Sequence, residues 1–362
     1  GLVEDAGHDF RTQSAGRAGR AIRIRPESGL YLGLSIEPGK VTAVIADAAK
    51  RVVAWRREDV AFEPQGAPPI ATVTSIAEAA LQAADCDRGL LEGVGIAVAG
   101  PVDPRTGLIG SPVKVHEWTG SNLRAAMIEL FDKPVVLEND ANCSALAELL
   151  WGNLGSDTSA VLLRLDRGVG GAIVQRGEIL TGHSGIAGNF GHVPYDLKGA
   201  PCRCGGRGCF EHYLSTAAVI ERFGLDSVES IATALKSGDS GVLPALSETA
   251  EILAQLAAIV SRTSDPERIL LGGELMLLGM PLLDRANKRL AELNARAPAM
   301  ELATAATLLD GEQQSDEPAL GAIGLNHGLP YKLSANPAAA TGLMARRQRR
   351  HPWRAAPVWH WL

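Results

Sequence analysis

Hydrophobic and polar positions along the first half of the chain form a pattern that predicts strands followed by helices. A buried strand at residues 29–36, a tight turn at 37–40, and strands at 41–47 and 51–60 predict an opening antiparallel meander. Apolar residues then recur at helical spacing over residues 70–84. Further strands are predicted at 90–98 and 134–137, and further helices after a cap at Asn122 and at 141–151. This half therefore predicts an α/β domain.

The second half of the chain repeats this order of elements. Residues 159–165 and 170–175 predict a hairpin around 166–169, and residues 269–273 predict a short strand that ends in paired glycines. Helices are predicted at 217–223, 249–261, 281–295 and 319–325. Two blocks of this kind predict two α/β domains, and 362 residues suffice for two cores that share a cleft.

The two ends of the chain depart from this pattern. Residues 21–25 alternate apolar and basic side chains, which predicts an edge strand with one face in water. From residue 334 the periodicity disappears, so residues 334–362 are predicted to be a disordered tail. This tail contains five arginines and three tryptophans. It is either a basic arm for nucleic acid or acidic partners, or an unselected C-terminus.

Composition and charge argue against several classes of protein. Hydrophobic residues make up 46% of the chain and charged residues 21%, as in a globular protein. No apolar run reaches about 18 residues and the N-terminus has no apolar core segment, so neither a membrane-spanning helix nor a secretory signal is predicted. The formal net charge of −6 argues against nucleic-acid binding by the main body. We expect a cytoplasmic protein with no membrane partner.

Three of the five cysteines lie within eight residues, which is typical of a metal site and unlike a disulfide framework. Cys202, Cys204 and Cys209, together with His192, form a closed set of three thiolates and one imidazole for Zn²⁺. Glycines between the cysteines allow the chain to fold back onto one ion. Because four protein ligands leave no open position, we predict a structural zinc ion. The alternative is three free cysteines in a flexible loop.

The segment around these cysteines resembles the ROK family of repressors, open reading frames and kinases. Residues 191–192, followed by residues 199–211 with the order Cys-x-Cys-Gly-x-x-Gly-Cys-x-Glu, match the family's pattern. Further matches lie at residues 95–103, 138–142 and 271–273. The resemblance covers about residues 30–330. It implies the two-lobed sugar-kinase or actin-like (ribonuclease H-like) α/β fold, with a cleft between the lobes and a structural zinc loop.

The resemblance also implies how the chain divides and where a sugar binds. Residues 31–138 with about 316–330 would form the smaller lobe, and residues 139–315 the larger lobe with the zinc loop. The sugar hydroxyls would be bound by Asn139, Asp140, His192 and Glu211, with His192 using its second ring nitrogen. Asp140 corresponds to the catalytic base of the family's kinases. A simpler role for Asn139 and Asp140 is to cap the helix that follows them.

Several positions depart from the pattern of the family's kinases. Asn189 stands where those kinases have a glutamate of the sugar site. The first phosphate loop, D-x-G-x-T-K in kinases, has Ser35 in place of the aspartate and Glu37 in place of the first glycine. The second phosphate loop, G-T-G-x-G in kinases, here has Asp166 and Arg167 before the retained Gly168 and Gly170. The segment near the adenosine site keeps Gly272 and Gly273, but a glutamate follows them. A carboxylate about 4 Å from a phosphate costs about 4 kcal/mol at an effective dielectric constant of about 20. We therefore expect neither ATP nor Mg²⁺ as a cofactor.

The N-terminal segment resembles the wing and exit of a winged helix-turn-helix. Residues 1–7 and 16–24 carry this resemblance, and residues 1–30 would be the remnant of a DNA-binding head whose recognition helices precede Gly1. The alternative is an ordinary basic leader.

Together these features favour a sugar-responsive transcriptional regulator that acts as a homodimer or higher homo-oligomer. It would bind a sugar or sugar derivative, and it would bind DNA through its head. The altered nucleotide segments argue against an enzyme. Two alternatives remain. One is an ATP-dependent sugar kinase that uses Asp140 as its base, and the other is a non-sensing, zinc-stabilised association domain.

Overall fold

The computed structural model describes residues 3–7, 21–37, 39–60, 70–85, 87–103, 106–107, 109, 123–152, 154–155, 157–294, 302–304 and 317–326. The strands are β1 (Val3–Gly7), β2 (Ala21–Ile24), β3 (Leu30–Glu37), β4 (Lys40–Asp47), β5 (Val52–Asp59), β6 (Leu91–Val98), β7 (Val135–Asn139), β8 (Ala160–Leu165), β9 (Val169–Gln175), β10 (Glu178–Ile179), β11 (Arg268–Gly272) and β12 (Leu302–Thr304). The α-helices are α1 (Ile70–Ala83), α2 (Leu123–Phe131), α3 (Asp140–Leu150), α4 (Glu211–Leu214), α5 (Thr216–Phe223), α6 (Val228–Lys236), α7 (Leu243–Ser264), α8 (Met280–Leu293) and α9 (Glu317–Gly324). The predicted cap at Asn122 and the predicted tail at 334–362 lie outside the described residues.

The first sheet has the strand order β5-β4-β3-β6-β7. β3, β4 and β5 pair in antiparallel fashion, as the predicted meander requires, and β6 and β7 run parallel to β3. Leucine, isoleucine and valine side chains on one face of this sheet pack with α1 and α2 to form one core. The parallel strands end at one edge of the sheet, so residues 37 and 139, which follow their apolar runs, lie at that edge.

The second sheet repeats this topology with the strand order β10-β9-β8-β11-β12. β8 and β9 form the predicted hairpin, and β11 runs parallel to β8. One face of this sheet packs with α7 and α8 in a second core. The molecule therefore consists of two α/β lobes, as the sequence pattern predicted, and the structure shows that both sheets have the same strand order.

The two helices α3 and α9 lie between the sheets and against each other. α9 covers β3 and β6 of the first sheet, and α3 covers β8 and β9 of the second. The contact between the helices is close, because a Cβ added at Gly321 would lie only 1.6 Å from the carbonyl oxygen of Cys143. The layers follow the order helices, sheet, helices, sheet, helices.

Helix α7 carries the largest share of the second core. Residues 240–264, which include α7, are long and apolar enough to cross a membrane by length and composition alone. Ten side chains of α7 are buried, however, and they pack with β8, β11 and α8. Within the described residues this is the one segment that passes that test, and its burial is that of a core helix.

The structure also corrects several element boundaries. β7 extends to Asn139 and α3 begins at Asp140, so the predicted strand end at 137 falls short. α7 begins at Leu243, six residues before the predicted start, because Pro244 is tolerated in the first turn of a helix. The spacing of Val228, Ile231 and Ala232 is helical, yet α6 was not predicted from it.

A two-stranded antiparallel hairpin forms the N-terminal part of the described chain. β1 pairs with β2, with an irregularity between Asp5 and Gly7. Arg25 lies 3.9 Å from Glu4 across this hairpin. The edge strand predicted at residues 21–25 is therefore present. Its role as a DNA-binding wing remains a prediction.

Candidate functional site

The residues predicted to bind a sugar begin where β7 ends and α3 starts. Asn139 caps α3, because its Oδ1 accepts hydrogen bonds from the backbone N–H groups of Ala141 and Asn142. Its Nδ2 donates to the carbonyl oxygen of Gly100 at 2.9 Å and to Asp140 Oδ1 at 3.0 Å. The amide side chain therefore holds the Asp140 carboxylate in one orientation. Capping and ligand binding by this pair are compatible.

A buried arginine lies beside Asp140. Arg164, near the end of β8, has a side chain that is only 5% exposed. Its Nη1 lies 3.2 Å from Asp140 Oδ2, and its Nη2 lies 3.1 Å from Glu37 Oε2 and 3.0 Å from Asp166 Oδ2. Because Glu37 ends β3 in the other lobe, this cluster joins the two lobes. We call Arg164, Glu37, Asp140 and Asp166 the Arg164 cluster.

Glu37 has further partners at the end of β3. Lys40 Nζ lies 3.4 Å from Glu37 Oε2, and the Ser35 hydroxyl donates to Glu37 Oε1 at 2.9 Å. Burial raises the pKa of Glu37, but the Arg164 and Lys40 cations outweigh it and hold the pKa below its usual value. The simple repulsion of phosphate expected from the sequence is therefore incomplete. The negative charge of Glu37 is already neutralised by cations of the protein.

Burial has the opposite net effect on neighbouring carboxyl groups. It raises the pKa of Asp140 to about 6, although the Arg164 charge lowers it in part. It raises the pKa of Glu138 to about 7, against a hydrogen bond from Asn142. Asp140 is therefore largely ionised at pH 7 and able to accept hydrogen bonds from hydroxyl groups.

The loop between β8 and β9 connects Asp140 to the zinc segment. A Cβ added at Gly170 would lie 3.2 Å from the Cβ of Ala141, and one at Gly168 would lie 3.0 Å from Glu211 Oε2. Glu211 Oε2 accepts a hydrogen bond from the backbone N–H of Val169 at 3.3 Å, and its Oε1 lies 3.0 Å from Arg203. The loop thus links the two groups of predicted sugar-binding residues.

Other predicted nucleotide-site residues lie around the same loop. A Cβ added at Gly39, in the β3–β4 turn, would lie 3.1 Å from Arg167 Nη2, so the first hairpins of the two lobes face each other. Gly273 adopts a φ of +89°, and a Cβ there would lie 2.5 Å from the carbonyl oxygen of Leu165. Gly272 lies beside Glu317, whose Oε2 would be 3.0 Å from an added Cβ. These glycines therefore lie close to charged side chains, namely Gly39 to Arg167 and Gly272 to Glu317, and their role in binding phosphate remains a prediction.

His192 and three cysteines form a group that could hold a metal ion. Their ligand atoms all lie within 4.8 Å of one another. Cys202 Sγ is 3.5 Å from His192 Nδ1, and Cys204 Sγ is 3.6 Å from Cys209 Sγ. A tetrahedral site with bonds of about 2.3 Å has ligands about 3.8 Å apart, so these residues fit Zn²⁺.

The local fold of this segment explains how the ligands meet. Gly205 and Gly208 adopt φ angles of +90° and +56°, in the left-handed region that glycine tolerates best. His192 ends a short 3₁₀ helix that begins at Phe190. Asn189 precedes that helix and is exposed. Its side chain makes no capping hydrogen bond, and its predicted contact with sugar remains a prediction.

Arg164, at the centre of the site, was not predicted from the sequence. A lone charged residue in the otherwise apolar strand β8 was the available signal. Glu317, a buried carboxyl group at the start of α9, was not predicted either. No sequence motif contains Arg164, because two of its three partners, Asp140 and Glu37, lie 24 and 127 residues away along the chain.

The repeated sheet topology and the helices between the sheets define an actin-like, sugar-kinase type of fold. A ROK family transcriptional regulator homologous to the E. coli MLC protein has the same fold, with a TM-score of 0.72 and 22% identity over 90% of this chain and 85% of that chain. A ROK family glucokinase from Streptomyces griseus, solved with glucose and AMPPNP, gives a TM-score of 0.67 and 23% identity over 82% of this chain and 99% of that one. The predicted fold class is therefore confirmed.

The chain belongs to the ROK family, whose model matches residues 31–328. A glucokinase of Halalkalibacterium halodurans is 30% identical over 53% of this chain and 64% of its own length, so this chain spans less than two thirds of that relative. A xylose repressor of Bacillus subtilis is 23% identical over 85% of this chain and 79% of its own length. A sugar-related function follows from this membership.

Proposed function

We propose that this protein is a sugar-responsive transcriptional regulator of the ROK type. The observation that carries the proposal is the Arg164 cluster. Glu37 and Asp166 stand in the two segments that bind phosphate in the family's kinases, and both are paired with Arg164. Phosphoryl transfer depends on positioning and neutralising the phosphates. Here the groups that would contact phosphate are already engaged with each other.

The sugar side of the site supports the same proposal. Asp140, oriented by Asn139, and Glu211, held by Arg203 and Val169, offer carboxylate oxygens on both sides of the β8–β9 loop. Carboxylates accept hydrogen bonds from two hydroxyl groups each, and a sugar that leaves one unpaired loses affinity. His192 and Asn189 complete the proposed sugar set.

The zinc loop is proposed to hold these groups in place. His192, Cys202, Cys204 and Cys209 would ligate one structural Zn²⁺, which ties the segment before Glu211 to a single point. When bound, the ion supplies a fixed imidazole orientation and no reaction chemistry. The side chains of the protein, and not the ion, would recognise the sugar.

Signalling would follow from a difference in sugar affinity between two arrangements of the lobes. A ligand shifts such an equilibrium only as far as its affinities for the two states differ. The β1–β2 hairpin is proposed as the wing of a DNA-binding head, in a cytoplasmic homodimer. Relatives that are named as a xylose repressor and as a regulator support this proposal.

A sugar kinase is the second candidate. The presence of Asp140 at the start of α3 and the similarity to glucokinases favour it. If the protein is a kinase, Asp140 would take the proton of the attacking sugar hydroxyl. The kinase candidate requires sugar-dependent ATP consumption, whereas the regulator requires none.

The two candidates are separated by measuring ligand binding and ATP consumption on the same samples. The melting temperature is measured with a panel of hexoses, aminosugars and pentoses, and ATP hydrolysis with the same panel. We expect stabilisation by at least one sugar without sugar-dependent ATP consumption. Asp140→Ala and Glu211→Ala should abolish that stabilisation, while Glu221→Ala, at an exposed position of α5, should preserve it.

Other outcomes reassign the protein. Sugar-dependent ATP consumption that is lost in Asp140→Ala identifies a kinase. Absence of stabilisation by every sugar favours a non-sensing association domain. In a chain that carries a helix-turn-helix head ahead of these residues, a sugar that stabilises the protein should also change the retention of duplexes selected from a random DNA pool, and unchanged retention there contradicts a regulator.

A further inference from the structure

We propose that the Arg164 guanidinium is a built-in cation, which neutralises three carboxylates that would otherwise need a bound metal ion, and that it positions Asp140 for a ligand hydroxyl. The first part concerns the charges of the cluster alone. The second part rests on the proposed function, because it assumes that Asp140 binds a sugar.

The geometry matches what a guanidinium can do. Its planar array of N–H donors can serve several carboxylates at once, and its charge is permanent. Arg164 uses Nη2 for Glu37 and Asp166, and Nη1 for Asp140. Mg²⁺ prefers carboxylate and phosphate oxygens in octahedral geometry. The carboxylate oxygens it would use here already lie within 3.2 Å of the guanidinium.

Because the three carboxylates of the Arg164 cluster are mostly buried, they need the positive charge of Arg164 to remain ionised. The side chains of Arg164, Glu37, Asp140 and Asp166 are 5%, 10%, 17% and 19% exposed. Buried charges are tolerated only when they are paired and hydrogen-bonded. Without Arg164 the three carboxylates would have Lys40 as their nearest described cation, 3.4 Å from Glu37. They would then need protons or another cation.

The same contacts fix the Asp140 carboxylate at both oxygens. Oδ1 accepts from Asn139 Nδ2 and from the backbone N–H of Ala141, each at 3.0 Å. Oδ2 accepts from Arg164 at 3.2 Å. A carboxylate has about four acceptor positions, so capacity for a hydroxyl donor remains. Asp140 is thus oriented by side chains of the protein without a nucleotide or a metal ion.

The arginine also joins the two sheets. Glu37 ends β3 and Asp140 follows β7, both strands of the first sheet, whereas Arg164 lies in β8 of the second sheet and Asp166 follows that strand. Because the Arg164 side chain contacts all three carboxylates, it holds Asp140 in place relative to both lobes. We therefore assign it as a positioning residue and not as a catalytic one.

The test replaces the cation and asks whether a free ion can substitute for it. Arg164→Met removes the charge, and Arg164→Lys keeps it. Arg222→Met is the matched control, because Arg222 is 12% exposed in the same lobe and pairs with Glu248 at 3.2 Å. Melting temperatures are measured for each variant of the full chain with and without millimolar Mg²⁺ or Mn²⁺, and with guanidinium ion at equally low concentration.

We expect Arg164→Met to melt roughly 10 °C below the unmodified protein, with Arg164→Lys between them. Divalent cations or guanidinium should raise the melting temperature of Arg164→Met and leave the unmodified protein and Arg222→Met unchanged. A purely structural arginine would give a loss of stability that no ion repairs. The proposal is overturned if ions do not stabilise Arg164→Met, or if they stabilise all three proteins equally.

A second variant covers the case in which Arg164→Met does not fold. Glu37→Gln combined with Arg164→Met removes one of the uncompensated carboxylates, so the double variant should be more stable than Arg164→Met. Equal or lower stability of the double variant contradicts the assigned charge balance. These melting-temperature measurements require no sugar and no DNA, so their outcome does not depend on whether the protein is a regulator.

The positioning part has its own readout. For a sugar that stabilises the unmodified protein, calorimetric affinity should not depend on Mg²⁺ or ATP. In Arg164→Met it should fall at least tenfold and recover in part when the divalent cation is added. Affinity unchanged in Arg164→Met refutes the positioning role and leaves the sugar-binding proposal intact.

Discussion

Replacing Glu317 by glutamine should remove part of the protein's pH dependence of stability. Glu317 is the first residue of α9 and is 5% exposed. Burial raises its pKa to about 8, and the charge of Arg164 opposes this only in part. Nearby Glu148, Asp166 and Glu37 raise it further. Glutamine has nearly the same shape as the protonated acid but cannot ionise.

The size of the effect follows from proton linkage. Unfolding lowers the pKa of Glu317 from about 8 to 4.5, the ordinary value of a glutamate, so between these pH values the native state binds one more proton. The free energy of unfolding therefore falls by about 1.4 kcal/mol for each pH unit of increase, and the loss levels off above about pH 8. Between about pH 6 and pH 7.5, Glu317→Gln should gain about 2 kcal/mol relative to the unmodified protein, or about 4 °C in melting temperature.

The assay is urea or thermal unfolding of both proteins at several pH values across this window. Glu138 and Asp140, whose pKa values burial also raises, contribute equally to both proteins and cancel in the difference. Glu267→Gln, at an exposed side chain, is the control and should follow the unmodified protein. Parallel pH profiles for Glu317→Gln and the unmodified protein would refute the reasoning.

Three further predictions concern other parts of the molecule. Removing the metal with a chelator, or Cys209→Ser, should lower the melting temperature and weaken sugar binding in calorimetry, and unchanged binding would exclude the role given to the zinc loop. Gly321→Ala should destabilise by about 3 kcal/mol in urea unfolding because its Cβ would meet the Cys143 carbonyl oxygen. Gly324→Ala, facing a movable leucine side chain, should cost far less, and equal costs would contradict this. Trp151→Phe removes the 2.8 Å hydrogen bond from Nε1 to the Lys50 carbonyl oxygen and should cost about 1 kcal/mol.

The fold could be predicted from the sequence because the patterns that determine its strands, helices and turns are local and periodic. The apolar runs of β3 and β4, the helical spacing of α1 and the glycine turns each lie within a few residues, and two such blocks in a row predicted two lobes. The candidate metal site could be predicted for the same reason, since three of its four proposed ligands lie within eight residues. The four ligand atoms do come together within 4.8 Å.

The Arg164 cluster could not be predicted from local sequence patterns. Arg164 and Glu37 are 127 residues apart in the chain, and only the folded structure brings them within 3.1 Å. The sequence predicted that Glu37 would repel a phosphate, which is correct for an isolated carboxylate. It could not supply the cation that neutralises Glu37, because that partner depends on how two sheets face each other.

The position of α9 has a consequence for the synthesis of the chain. The first sheet is complete once Asn139 has left the ribosome, but the helix that covers β3 and β6 begins only at Glu317. At roughly 5 to 20 residues per second, the intervening 180 or so residues take about 10 to 35 seconds to translate. During that interval the apolar face of β3 and β6 has no α9 to cover it. The nascent first sheet therefore exposes an apolar face to solvent until Glu317–Gly324 has been synthesised, and this face is a surface that a chaperone could bind.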